Sequence, residues 1–159
     1  MAQPQVLPFD TGAACAAQFR ACLAASTATL DLFDPDCAVF PLGAPDVDAA
    51  LRGFLANAGV LRLVVHATSH VERQYPRFLR LLRDYGHLAE CRVTPRALRR
   101  LTDSFCIGDG VHIVRRFHSD HMRGEAAFDA PAATDVSRQR FSAIWEEALP
   151  ALRQDLSGL

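Results

Sequence analysis

The chain has 159 residues, half of them hydrophobic and 22% charged, an ordinary globular composition with enough apolar material for one buried core. Its formal net charge of −1 removes any global attraction to nucleic acid or to an anionic membrane. No apolar run approaches the roughly 20 residues that span a bilayer, and the start lacks the cationic region of a secretory leader. Cys15, Cys22, Cys37, Cys91 and Cys106 are odd in number, form no CxxC pair and sit mostly among apolar neighbours. A disulfide framework or a zinc ribbon is therefore not expected, and a reduced, cytoplasmic protein is.

In chain order, residues 1–10 are expected to be flexible, ahead of one domain over residues 11–159. Thr11 to Ala25 predicts a helix with Thr11 as N-cap and Cys15, Phe19, Cys22 and Leu23 on one face. Cys15 and Cys22 are then core residues rather than ligands. Ala28 to Phe33 predicts a strand stopped at Asp34-Pro35-Asp36. A helix from Asp46 to Asn57 places Val47, Leu51, Phe54 and Leu55 on its buried stripe and stops by Gly59. Val60 to His66 is nearly continuous in apolar residues, as a strand covered on both faces requires.

Pro76 belongs in a first helical turn, which sets the third helix at about Gln74 to Tyr85, with Gly86 as its stop. Glu90 to Val93 predicts a short strand, and Pro95 to Leu101 an arginine-rich helical turn. Three strands follow, at Asp103 to Ile107, Val111 to Phe117 and about Gly124 to Phe128. The closing helix is set near Thr134 to Arg153, burying Phe141, Ile144, Trp145, Ala148, Leu149 and Leu152. Alternating strands and helices, then a late run of strands and a last helix, predict an α/β sheet of mixed direction.

That order, with Leu32-Phe33-Asp34-Pro35, Leu61 to His66, Ile107-Gly108-Asp109-Gly110, and Phe141 with Trp145, resembles a single phospholipase D-like repeat over about Thr11 to Arg153. It looks closest to bacterial phospholipase D-like domains, some of them attached to acetyltransferase domains. The resemblance implies a layered mixed sheet with helices on both faces. In active members of that family a strand bears His-x-Lys, and an Asp follows at a tight turn. Aligning that Asp on Asp109 puts Thr102 at the nucleophilic His and Ser104 at the Lys. The sequence contains no lysine, so no shift of register restores the motif.

Residues two apart on a strand face one side, so Thr102, Ser104 and Cys106 take the face that the catalytic pair would occupy. A hydroxyl there is no competent nucleophile without a base, and no G-x-S-x-G elbow surrounds Ser104. Asp109, followed by Gly110 between two strand-like runs, reads as hairpin chemistry before any acid or metal role. His118-Ser119-Asp120-His121, near His112, is short of the ligand set of a zinc site and reads as a solvated loop. His66, Thr68 and Ser69 stand where an open α/β sheet binds ligands, or else cap the next helix. Arg96, Arg99, Arg100, Arg115, Arg116 and Arg123 form a local basic patch, with Asp103, Asp120, Glu125 and Asp129 in the same segments as potential partners.

The expectation is a non-catalytic ligand-binding or protein-interaction domain with no catalytic residue, cofactor or metal. Its partner would be a phosphate-containing small ligand or a protein, not a membrane. Missing stacking aromatics count against single-stranded nucleic acid. Ser104, Asp109, Arg115, Arg116 and His118 are the candidate ligand-binding residues. Active relatives build one site from two repeats, so the resemblance implies a homodimer through the face of Thr102 and Ser104. The alternatives are a divergent metal-dependent phosphodiesterase or nuclease using His112, His118 or His121, and a regulatory module of an acetyltransferase.

Overall fold

The mostly apolar segments at residues 30–33 and 61–65, each interrupted by one charged residue (Asp31 and Arg62, which pair with each other), form the middle of one eight-stranded sheet covered on both faces. The computed structural model describes residues 5–152. In chain order it comprises β1 (Val6–Phe9), α1 (Gly12–Ala25), β2 (Thr29–Asp34), α2 (Pro45–Ala56) and β3 (Val60–Val65). Then follow α3 (Ser69–Gln74), α4 (Pro76–Asp84), β4 (Ala89–Val93) and a 3-10 turn (Arg96–Leu98). The chain continues through β5 (Ser104–Gly108), β6 (His112–Arg116), β7 (Gly124–Ala127), α5 (Pro131–Glu147) and β8 (Leu149–Ala151). The strand order is β1-β7-β6-β5-β2-β3-β4-β8, with β2, β3 and β4 parallel and the remaining pairs antiparallel.

Alternation along the strands sends residues to two separate cores. On one face Leu30, Leu32, Leu61, Leu63 and Cys106 pack with Phe19 of α1, Leu51 of α2, Val71 of α3 and Phe78 of α4. On the other, Phe33, Val64, Phe105 and Ile107 pack with Phe141, Ile144 and Trp145 of α5. Trp145 is buried, as expected, and stacks on Phe141 with ring centroids 5.9 Å apart. All five cysteines are free and buried. Burial lifts the Cys15 thiol to about 11 and the Cys91 thiol to about 12, as for inert core residues.

Several boundaries differ from the sequence expectation. The flexible start gives way over Val6–Phe9 to an edge strand paired with β7; Pro8 hides that strand from sequence reading. The expected third helix is α4, and a further short helix, α3, precedes it; the two stay separate because the residue before a proline is pushed out of helical geometry and Tyr75 breaks the run ahead of Pro76. The closing helix begins earlier and stops at Glu147, since Pro150 cannot continue it. Leu149 consequently lies in β8 at 60% exposure rather than in the core, and Leu152 is only half-buried. Arg153, set at the end of that helix, lies outside the described residues. Both edge strands carry a central proline, Pro8 in β1 and Pro150 in β8, which blunts edge-to-edge pairing of the sheet. Among the described residues no helix is long and apolar enough to cross a membrane.

Candidate functional site

Because β5 runs antiparallel to β2, the start of β5 meets the C-terminal end of β2. The last residue of β2, Asp34, thereby faces Ser104 of β5 and, one strand further, Arg116 of β6, with Ser104 and Arg116 directly paired across the ladder. Ser104 Oγ donates to Asp34 Oδ1. Arg116 Nη2 donates both to Asp34 Oδ1 at 3.1 Å and to Ser104 Oγ at 3.0 Å. The other carboxylate oxygen accepts the backbone N–H groups of Asp36 at 3.0 Å and Cys37 at 2.5 Å. Asp34 and Ser104 are fully buried, and only 11% of the Arg116 side chain is exposed. Burial pushes the Asp34 carboxyl above its ordinary range, against the lowering effects of the Ser104 hydroxyl and the Arg116 charge.

The surroundings pin this cluster. Tyr75 donates its hydroxyl to the carbonyls of Cys37 and Phe40, at 3.1 and 3.0 Å, fixing the loop that follows Asp34. Met122 Sδ lies 3.8 Å from Arg116 Nη1 and roofs the guanidinium from the β6–β7 loop. Beneath Ser104 on the same face, the Cys106 and Cys22 sulfurs are 3.8 Å apart. A Cβ at Gly108 would lie 2.0 Å from Ser26 Oγ, so a smaller residue than alanine is required where α1 crosses β5.

Of the candidate residues, the structure gathers only Ser104 and Arg116. Asp109 stands at the opposite end of β5, where it and Gly110 take positive φ values of 53° and 71° and Val111 N–H donates to Gly108 O. That is the primed hairpin turn the Asp-Gly pair predicts. The Asp109 carboxylate accepts backbone N–H groups from Thr27, Ala28 and Thr29, at 2.8 to 3.1 Å. Partial burial raises its pKa, but those backbone donors outweigh it and hold the carboxyl below its ordinary value. Arg115 points to the other face of the sheet from Arg116 and pairs with Glu125, directly opposite on β7. His118 lies in the β6–β7 loop, where its Nδ1 accepts the Asp120 N–H.

Of the histidines named for the metal-dependent alternative, His118 and His121 lie with ring centroids 6.1 Å apart, but His112 does not join them. His112 and His118 flank opposite ends of β6, separated by about 13 Å of extended strand for its four steps. His112 Nδ1 accepts the Asp129 N–H, and His121 Nδ1 accepts the Arg123 N–H. Among the described residues no three His, Cys, Asp or Glu side chains form a group able to hold a metal. The proposed crevice residue His66 is a tie instead: one ring nitrogen bonds Thr94 Oγ1 at 2.6 Å and the other Leu101 O at 2.7 Å. Neither Thr68 nor Ser69 supplies a side-chain cap to α3. Asp103 pairs with Arg140 of α5. The residue that sequence reasoning missed is Asp34, which reads as turn chemistry beside Pro35; its place as the last residue of a central strand is the signal that would have found it.

The architecture is that of a phospholipase D-like unit. Nuc from Salmonella typhimurium, a phospholipase D family member, superimposes with a TM-score of 0.68 at 13% identity, covering 96% of this chain and 99% of that one. NucT from Helicobacter pylori gives 0.62 at 6% identity, with 94% and 100% covered. TrmBL2, an archaeal chromatin protein with a novel mode of DNA binding, gives 0.69 at 10% identity, with 92% of this chain but 54% of TrmBL2 covered. No curated protein matches the chain in sequence. The chain belongs to the family described as Domain of unknown function (DUF7931), whose model matches residues 11–154.

Proposed function

We propose that this chain is a non-catalytic phospholipase D-like domain that acts by binding, as a homodimer or on a protein partner. One observation carries the reading: at the position that the resemblance gives to catalytic lysine, the Ser104 hydroxyl is buried and engaged by Asp34 and Arg116. A nucleophile needs a base and an open approach to its target. Asp34 is a carboxylate beside the hydroxyl, but it is already held by Arg116 and two backbone donors, and no part of Ser104 reaches solvent. Thr102, at the position that the resemblance gives to histidine, is half-buried, and among the described residues no imidazole hydrogen-bonds to it.

The surface also supports association through the rim at this end of the sheet. Proline blunts both sheet edges, whereas Phe117, just past β6, is 48% exposed with Arg115 stacked over its ring at 5.5 Å. An exposed aromatic next to an arginine is the composition favoured at the centre of interfaces. The interface first expected to include Ser104 therefore moves to the rim at Arg115 and Phe117. The test is hydrolysis of a generic phosphodiester together with light scattering at micromolar concentration. No turnover and a dimer mass that Phe117→Glu halves are expected. Turnover lost in Ser104→Ala would overturn the non-catalytic reading; a single-chain mass at every concentration would overturn the homodimer.

A further inference from the structure

Four donors from three segments converge on the Asp34 carboxylate: the Ser104 hydroxyl, the Arg116 guanidinium, and the N–H groups of Asp36 and Cys37. Such a convergence of one arginine, one hydroxyl and successive backbone amides is how proteins hold a free oxyanion. Here the anion is tethered to the end of β2. Two further features mark the cradle as more than turn chemistry. Arg116 Nε is buried without a partner among the described residues, so one carboxylate leaves part of the guanidinium unused. Cys37 sits at φ 70°, a left-handed conformation that costs a non-glycine residue energy, and its N–H points at Asp34. The turn is thus held against its own backbone preference, and what it grips is the Asp34 side chain.

We infer that this chain retains an oxyanion site whose resident anion is its own Asp34, and that a small external oxyanion occupies the site only when the Asp34 carboxylate is absent from it. Ser104, Arg116 and the Asp36–Cys37 amides are the binding groups; Asp109, Arg115 and His118 take no part. This deepens the non-catalytic reading and rests on the same cluster.

Asp34→Ala deletes the atoms of one formate ion, so sodium formate is the probe and sodium chloride at equal ionic strength the control. Thermal unfolding of Asp34→Ala is expected to shift upward saturably in formate, by about 5 °C beyond chloride. Wild type, whose site is filled, and Asp34→Ala/Arg116→Met, whose site lacks its cation, are expected to show no such excess. Equal responses to the two salts, or an equal formate excess in the double variant, would overturn the inference. If Asp34→Ala does not fold in chloride, Asp34→Ser replaces it, keeping an oxygen for the Cys37 N–H while vacating the place against Arg116. Failure of both variants to fold even in formate also counts against it, because a refilled site should restore them. Diester turnover by wild type would remove the non-catalytic reading yet leave the formate comparison standing, so the two ideas fail separately.

Discussion

The β5–β6 hairpin is tied to β2 at both of its ends, each time through an aspartate, and the two ties differ in kind. At the turn, Asp109 reaches across to the backbone N–H groups of Thr27, Ala28 and Thr29, at the start of β2. At the open end, Asp34 reaches from the last residue of β2 to Ser104 and Arg116. Asp109 is half-exposed and forms no ion pair with an arginine among the described residues, so its grip is made chiefly of main-chain hydrogen bonds that water can replace. Asp34 is buried and set against a nearly buried arginine, where an ion left alone has no solvent to turn to. The same side chain serves as a surface clasp at one end and as half of a buried ion pair at the other. Burial alone makes the second tie far more vulnerable to loss of a partner.

The comparison breaks most visibly at Arg116. Arg116→Met strands the Asp34 charge and should lower unfolding free energy by about 3–5 kcal/mol in urea titration. Adding Asp34→Asn should recover part of that loss, and strictly additive effects in the double variant would show that the two side chains do not act as a pair. Asp109→Ala should cost less, about 2 kcal/mol, since it forfeits hydrogen bonds to a charged group without burying a charge.

Acid sharpens the contrast between the two ties. The folded-state pKa of Asp109 is depressed below its unfolded value of about 4, so the contribution is complete above that value and is lost as pH falls through the folded one. Asp34 is raised by burial, so the folded protein binds its proton more tightly than the unfolded chain, and this group alone adds stability as pH falls toward 4. Wild type and Asp109→Asn should therefore keep one stability gap from pH 6 down to about pH 4, and the gap should close as pH falls further, through the folded-state value. A gap that persists unchanged as pH falls well below about 4 would mean that the Asp109 charge is not what holds the turn.

Ser104→Ala should cost about 1 kcal/mol, because Arg116 remains as partner to Asp34 after the hydroxyl is gone. The smallest effect is expected on the other face of the sheet. Arg115 is 42% exposed and its pair with Glu125 is screened, so Arg115→Ala should change stability by less than about 1 kcal/mol. A loss at Arg115 as large as that at Arg116 would erase the distinction between buried and exposed partners in this hairpin.

Much of the scaffold is legible in the sequence, for reasons that are local. Asp109-Gly110 dictates its hairpin because the required positive φ values are cheap for that pair. The spacing of Cys15, Phe19, Cys22 and Leu23 marks the buried face of α1, and Thr11 caps it through its hydroxyl, 3.1 Å from the Ala14 N–H. Ser104 and Arg116 are also reachable from sequence, through the resemblance that places Ser104 at the lysine position. Asp109, Arg115 and His118 are not separable from them that way. Strand alternation sends Arg115 and Arg116 to opposite faces, but the sequence does not reveal which partner each finds there.

By itself the sequence determined the strand and helix periodicities and the hairpin turn, because each depends on residues within a few positions of one another, and its composition alone shows that no lysine is present. Only the tertiary structure decided that Asp34 belongs with Ser104, 70 residues away, and with Arg116, 82 residues away. It likewise recruited Val6–Phe9 and Leu149–Ala151, segments interrupted by proline, as the two edges of the sheet. In each case the deciding event is which strand lies beside which. Strand order settles whether an aspartate next to a proline is a solvated turn residue or a buried anion, and local chemistry carries no record of that order.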